Sequence, residues 1–250
     1  MRRIKIELSY DGTDYHGWQV QPGLPTIQGI LEQVFGEIEG HAVQVAGSGR
    51  TDAGVHALAQ VAALTMENPI PLENLRRAAN RLLPPDIRVT HVDEAAMDFH
   101  PRFQAKAKTY EYRIFRGEIC APFERRYVYH HPYRLAVDEM TRLAALIEGE
   151  HDFTAFAAAD DRDTLGASKV RTIFCSKLTE EGERLIYRVT GSGFLKHMVR
   201  NIVGVLIEVG KGNLAAPDVQ ALLDPRHCPD PRAATAPSRG LFLLGVEYGR

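Results

Sequence analysis

The sequence predicts an α+β fold that divides into two halves near residue 103. Apolar residues alternate with polar ones along some segments and recur with helical spacing along others, and both kinds of segment occur in each half. At 250 residues, with 44% hydrophobic and 25% charged residues, the chain has the composition of a globular protein of one large or two ordinary domains. We therefore predict domains at 1–103 and 104–250.

The elements of the first half follow from local patterns. Residues 4–10 alternate apolar and polar side chains, which is typical of a half-buried strand. Thr26 is suited to cap the N-terminus of a helix, because residues 27–38 place apolar side chains on one face. A second helix at 72–83 is ended by two prolines, and a strand at 87–92 follows it.

The second half repeats this mixture of strands and helices. The patterns predict a strand at 109–115, a helix at 137–148 closed by Gly149, an antiparallel strand pair at 170–178 and 185–190, a nearly all-apolar helix at 194–209 and a last strand at 242–248.

Composition narrows the class of protein. No apolar stretch reaches the roughly 18 to 20 residues of a membrane helix, and the N-terminus lacks the apolar region of a signal peptide, so we expect a cytoplasmic protein. The cysteines Cys120, Cys175 and Cys228 are far apart and form no CxxC spacing, so we expect free thiols and no structural zinc.

The run from Gly49 to Ala57 is the most informative segment. It brings Arg50, Asp52 and His56 into a short stretch hinged by small residues, between apolar segments at 43–46 and 60–64. This is typical of a loop that carries catalytic residues on a rigid scaffold. A guanidinium beside a carboxylate keeps that carboxylate ionised at neutral pH. The alternative is a glycine-rich turn whose aspartate caps a helix or accepts from backbone amides.

The apolar helix predicted at 194–209 carries Lys196, His197 and Arg200 near its start. In a helix, Lys196 and Arg200 would project from one face, one turn apart. A buried arginine needs an anion, and we expect Asp52 to be that partner of Arg200. The alternative is that this end of the helix is exposed and both cations are solvated.

Basic and aromatic residues are interleaved between residues 102 and 134. The basic ones are Arg102, Lys106, Lys108, Arg113, Arg116, Arg125, Arg126 and Arg134, and Tyr110 is among the aromatic ones. Cations suit phosphates and aromatic faces suit unstacked bases, so this segment indicates RNA binding. The alternative is a strand pair with a solvated charged face.

Six segments together resemble the signature motifs of the tRNA pseudouridine synthase A family, whose substrates are uridines 38–40 of the anticodon stem-loop. They are YDGTDYHGWQ (10–19), GRTDAGVH (49–56), DFHPRF (98–103), KTYEY (108–112), HMVRNIVG (197–204) and GLFL (240–243). They occur in order over nearly the whole chain, which makes the set specific although no single motif is.

The resemblance implies a cofactor-free isomerase that forms pseudouridine in tRNA, acts as a homodimer and is built from two α+β domains around a central, mainly antiparallel sheet. The first domain would carry the catalytic Asp52, and the second would complete the active-site cleft. Tyr110 matches the tyrosine that packs against the target base, Arg200 the partner of the aspartate, and Arg50 the arginine that moves the nucleotide into the site.

Further positions are implied to contact RNA: His56, Arg102, Lys108, Lys196 and His197. One departure is visible, because Lys196 stands where the family often has a histidine.

Two other functions fit parts of the sequence. A non-catalytic RNA-binding protein could use the same basic and aromatic residues, but it gives no reason for a carboxylate at Asp52. A metal-dependent phosphoesterase could use Asp52, His56, Asp98 and His100, but these residues are scattered and do not form a recognisable set of metal ligands.

Overall fold

A computed structural model describes residues 1–159, 166–224 and 234–249. The chain forms two compact units, the first made of Met1–Lys106 with Phe242–Arg250 and the second of Ala107–Leu241. The division into domains at 1–103 and 104–250 stays a prediction. The free thiol predicted at Cys228 lies outside the described residues, whereas Cys120 and Cys175 are free.

The elements of the described chain are β1 (Arg2–Tyr10), α1 (Ile27–Glu39), β2 (Ala46–Gly47), β3 (His56–Met66), α2 (Leu72–Leu82), β4 (Ile87–Ala95), β5 (Ala105–Phe115), β6 (Tyr129–His130), α3 (Val137–Ala144), β7 (Gly149–Asp152), β8 (Val170–Glu181), β9 (Arg184–Gly191), α4 (Met198–Gly210), α5 (Ala216–Leu223) and β10 (Leu241–Tyr248). This mixture of helices and mainly antiparallel strands confirms the predicted α+β class.

In the first unit the strand order is β4-β1-β3-β10, and the short β2 pairs with β3. β1 lies antiparallel to both β3 and β4. Its alternate residues Ile4, Ile6 and Leu8 are fully buried, which confirms the strand predicted from their spacing. β10 runs parallel to β3 and sets Phe242 opposite His56.

The helix α1 packs the first unit as its sequence predicts. Thr26 caps the N-terminus, because its hydroxyl oxygen accepts from the amide of Gly29. Leu31 and Phe35 on the apolar face are fully buried. Gly40 ends the helix at a φ of 88°, in the left-handed region that favours glycine.

In the second unit the strand order is β5-β9-β8-β7, with β6 parallel to β5. The antiparallel pair predicted at 170–178 and 185–190 is confirmed as β8 and β9, which extend to a tight turn at Gly182. The helix predicted at 137–148 is shorter. α3 ends at Ala144 and a 3-10 turn, Ala145–Ile147, follows it. No helix among the described residues is long and apolar enough to cross a membrane.

Candidate active site

The Asp52 loop, residues 48–55, joins β2 to β3 in the first unit. The predicted loop between two strands is present, but the strand before it is only the two residues of β2, and β3 begins directly at His56. Asp52 is half-buried, whereas Arg50 is exposed. The loop therefore shelters Asp52 in part and leaves Arg50 open to solvent.

A buried glutamine holds the first half of the Asp52 loop. Gln60 on β3 has no exposed surface. Its Nε2 donates to the carbonyl oxygen of Gly49 at 3.0 Å, and its Oε1 accepts from the Ser48 hydroxyl at 2.6 Å and from the amide of Val61 at 3.2 Å. A buried amide that is satisfied in this way has one orientation, so Gln60 fixes the backbone that leads into Arg50.

Thr51 connects the loop to β1 and to the turn that follows β1. Its hydroxyl lies 2.8 Å from the hydroxyl of Tyr10, and its carbonyl oxygen accepts from the amide of Trp18 at 3.0 Å. Burial raises the pKa of the Tyr10 phenol to about 12, so the phenol is neutral and can donate at physiological pH. The residue between Arg50 and Asp52 is therefore held from two sides.

The segment 11–18 closes over the second half of the loop with two glycines. A Cβ on Gly12 would lie 2.0 Å from the carbonyl oxygen of Val55. Gly17 has a φ of 87°, and a Cβ there would lie 2.6 Å from the Thr51 carbonyl oxygen. The backbone of segment 11–18 therefore touches the backbone of the Asp52 loop directly, which only glycine allows at these two positions.

His56 is buried with 1% of its surface exposed. Its Nδ1 accepts from the amide of Gly12 at 3.1 Å, lies 3.1 Å from a carboxylate oxygen of Asp11, and its ring stacks on Phe242 with centroids 4.7 Å apart. The imidazole therefore ties the turn after β1 to the start of β3. Its role in RNA binding stays a prediction.

Tyr110 and Lys108 lie two residues apart on β5 in the second unit, so their side chains share one face of the strand. Tyr110 is buried, and its ring meets Phe194 edge-on with centroids 5.0 Å apart. Phe194 was missed as a site residue because its apolar neighbours made it part of a predicted helix.

The helix predicted at 194–209 begins later than its sequence indicates, at Met198. His197 stands before it with a φ of 61°, the one positive φ of a non-glycine residue in the described part of the chain. The predicted helical face shared by Lys196 and Arg200 is therefore wrong, because the left-handed residue between them breaks the helical spacing. The Lys196 ammonium instead donates to the carbonyl oxygen of Ala159 at 3.2 Å.

Arg200 is half-buried near the start of α4. Its Nε donates to the carbonyl oxygen of Ala236 at 2.8 Å, and the amide of Ala236 donates to the carbonyl oxygen of Arg200 at 3.1 Å. This pair of bonds fixes the direction of the guanidinium within the second unit. Asp52 belongs to the first unit, and its pairing with Arg200 stays a prediction.

Two of the basic residues predicted to contact RNA form ion pairs with acids. Arg113 and Arg188 donate to the two oxygens of Glu111 at 2.8 and 2.6 Å, and Arg116 pairs with Glu180. Burial of Glu111 opposes its ionisation, but the hydrogen bonds from both arginines outweigh it and lower the pKa of the carboxyl. Arg102 is exposed.

Among residues 1–159, 166–224 and 234–249, no group of three or more His, Cys, Asp or Glu side chains could hold a metal ion. Asp52 and His56 are thus not part of such a group.

A comparison with family models matches residues 8–104 and 143–249 to the model described as tRNA pseudouridine synthase. The Asp52 loop, Gln60 and Arg200 lie inside these ranges, whereas Lys108 and Tyr110 lie between them.

Curated relatives match almost the full chain. A tRNA pseudouridine synthase A of Solibacter usitatus is 65% identical over 99% of this chain and 100% of its own length. Proteins of the same name from Anoxybacillus flavithermus and Citrifermentans bemidjiense are 43% and 42% identical, each over 99% of this chain, and over 99% and 98% of their own lengths.

Proposed function

The chain belongs to the tRNA pseudouridine synthase family, and on this premise we propose that it converts uridines 38–40 of the anticodon stem-loop to pseudouridine, with Asp52 as the catalytic nucleophile. Family membership confirms the predicted enzyme over a non-catalytic RNA-binding protein. The observation that carries the role of Asp52 is its setting: a half-buried carboxylate on a loop that side chains and glycines hold from both ends.

The reaction breaks the bond between ribose C1′ and uracil N1, turns the base and joins C1′ to C5. N1 gains a proton and C5 loses one, so the conversion is redox-neutral and no atom other than hydrogen is exchanged. A positioned carboxylate can start it by attacking C6 of the base or C1′ of the sugar, or by removing a sugar proton to give a glycal. All three routes need Asp52 ionised and aimed at the nucleoside.

Three further side chains serve the same reaction in this proposal. Arg200 balances the charge of Asp52 and directs its carboxylate, and its fixed guanidinium suits that task. Tyr110 packs against the uracil and is a candidate to take the C5 proton. Arg50, which is exposed on the Asp52 loop, occupies the space that the flipped nucleotide leaves.

The target uridine has to leave the helical stack, which costs a few kcal/mol. Binding of the rest of the tRNA offsets this cost, and we assign phosphate contacts to exposed cations such as Arg102 and Lys196 together with Lys108, with His56 and His197 supporting the RNA-binding loops. We also propose that the protein acts as a homodimer, as the resemblance implies, and that it acts in the cytoplasm, as its composition leads us to expect.

The experiment is a positional assay on tRNA transcripts that carry a single uridine at position 38, 39 or 40, in excess EDTA. Carbodiimide mapping should find pseudouridine at these positions, and tritium at C5 of the same uridine should be released in equal amount. Modification elsewhere in the tRNA, with positions 38–40 untouched, would contradict the assigned substrate. Loss of activity in EDTA would contradict the metal-free reaction.

A further inference from the structure

The sequence motif DFHPRF (98–103) takes no part in the chemical step, and only its Arg102 has been assigned a contact with the tRNA. It forms the 98–104 turn, which lies in the first unit between β4 and β5. At its tip the ring of Phe103 is 76% exposed. Single exposed apolar side chains are common on protein surfaces, so the surroundings of this ring, and not its exposure alone, decide what it can bind.

The 98–104 turn is anchored at its base. The carbonyl oxygen of Phe99 accepts from Nε of Arg3 at 3.1 Å, and the carbonyl oxygen of Pro101 accepts from the Tyr248 hydroxyl at 2.8 Å. These bonds tie the turn to β1 and to β10. The exposed ring is therefore carried by a fixed segment.

The tip of the turn is ordered by its own hydrogen bonds. Nδ1 of His100 accepts from the amides of Arg102 and Phe103 at 3.2 and 3.4 Å, and the amide of Gln104 donates to the carbonyl oxygen of His100 at 3.1 Å. The imidazole also lies against the Phe103 ring, with centroids 4.3 Å apart. Little conformational entropy remains to be lost when a ligand stacks on this ring.

A cation accompanies the exposed ring. The guanidinium carbon of Arg102 lies 5.7 Å from the centroid of the Phe103 ring, in cation–π contact. An aromatic face beside a guanidinium is the combination that binds an unpaired nucleotide, because the base stacks on the ring and the phosphate meets the cation.

We propose that the 98–104 turn is a docking platform for an unpaired nucleotide of the tRNA, whose base stacks on Phe103. The inference rests on the proposed function, because a tRNA with a loop supplies unpaired bases. It goes beyond that function by assigning stacking to a ring that has no part in the chemistry. Phe103 thus contributes to affinity, whereas the Asp52 loop contributes to turnover.

The first test is the affinity of the full chain for an unmodified tRNA transcript. Phe103→Ala and Phe103→Leu should weaken binding by about 5- to 100-fold, the effect of losing one base–aromatic stack. Phe103→Trp should bind as well as the native chain or better. The matched control is Phe174→Ala, which removes a half-exposed ring in the second unit and should leave the affinity unchanged.

The second test observes stacking directly. The chain contains a single tryptophan, Trp18, which is buried. In Phe103→Trp the added indole is exposed, and its fluorescence should be quenched by tRNA but not by a fully paired RNA duplex of equal length. The native chain serves as the control for the signal of Trp18.

Several outcomes would overturn the platform. Equal affinity of Phe103→Ala and the native chain would do so, as would tRNA binding without quenching in Phe103→Trp. Weaker binding by Phe174→Ala to the same extent would show that the effect is not specific to this ring. Dissociation of an oligomer by Phe103→Ala, measured by sedimentation, would assign the ring to an interface with a second copy of the chain.

Failure of the platform and failure of the proposed function are distinguishable. If the native chain releases no tritium from any tRNA, the function is wrong. If it does, and Phe103→Ala matches it in both affinity and turnover, only the platform is wrong. Under the proposal, Phe103→Ala raises KM and keeps kcat within about twofold at saturating tRNA.

Discussion

The Asp52 loop and the 98–104 turn belong to the same unit, yet they are held in opposite ways. The Asp52 loop is fixed by a fully buried glutamine and by glycines that let two backbones touch. The 98–104 turn is fixed only at its base and tip, and it leaves an aromatic ring in solvent. A reacting group has to be aimed to within a fraction of an ångström, whereas a stacking ring needs only to be open and ordered.

This contrast separates two kinds of effect. Changes behind the Asp52 loop should lower kcat, because they move a reacting group. Changes at the 98–104 turn should raise KM, because they remove a contact that is made equally before and during the reaction.

Among changes that leave Asp52 itself in place, the largest effect should come from Gly12→Ala. The added Cβ would lie 2.0 Å from the carbonyl oxygen of Val55, so the end of the Asp52 loop has to move. We expect turnover to fall about 100-fold, the cost of a misplacement of about 1 Å. Single-turnover tritium release measures it. Gly245→Ala is the control, because nothing lies within 4 Å of a Cβ there and activity should be kept. Full activity of Gly12→Ala would show that the loop tolerates displacement.

The next effect should come from Gln60→Met, which keeps the volume of the side chain but removes its hydrogen bonds. The Ser48 hydroxyl and the Gly49 carbonyl oxygen lose their buried partner, so we expect a loss of about 1 to 3 kcal/mol in the free energy of unfolding and a clear fall in kcat with little change in KM. Gln33→Met, at an exposed position of α1, is the control for the same exchange. A change in KM alone would contradict the positioning role.

A smaller effect distinguishes the exposed Arg102 from the half-buried Arg113. Arg102→Gln should reduce the salt dependence of tRNA binding by about one counterion, because an exposed cation that contacts phosphate is lost. Arg113 is already paired with Glu111, so Arg113→Gln should leave the salt dependence unchanged and lower thermal stability instead. Binding isotherms between 50 and 200 mM salt test both. Equal salt slopes for the two variants would remove this distinction.

The smallest effect concerns stability at low pH. The folded state holds the pKa of Glu111 below its ordinary value, so the unfolded chain takes up the proton first as pH falls. The stabilisation that ionised Glu111 provides is complete above the ordinary glutamate pKa of about 4.3 and is lost as pH falls through the lowered pKa of the folded state. Glu111→Gln should therefore destabilise the protein at pH 7 and weaken the pH dependence below pH 4. If the free energy of unfolding depends on pH in the same way for the native chain and for Glu111→Gln, Glu111 does not contribute this stabilisation.

The sequence predicted β1, α1, α2 and the β8–β9 pair well, because burial on one face leaves a period of two or of 3.6 residues. It also found the Asp52 loop, because cations, a carboxylate and glycines lie close together along the chain. It misplaced the start of α4, because a single left-handed histidine leaves no trace in an apolar pattern.

The residues that hold the Asp52 loop and the strands in place could not be predicted from local patterns. Gln60 is flanked by apolar residues in β3, and nothing local indicates that its amide reaches Ser48 and Gly49. Likewise, the pairing of Glu111 with Arg188 joins residues 77 positions apart, on neighbouring strands whose register only the folded sheet sets.

In the proposed function, Asp52 performs the chemistry and is not needed to hold the tRNA. The most direct measurement is single-turnover tritium release from C5-labelled tRNA by Asp52→Asn, alongside its dissociation constant for the same tRNA. We expect release to be abolished while binding stays within about tenfold of the native chain. Release by Asp52→Asn at a rate near that of the native chain would contradict it.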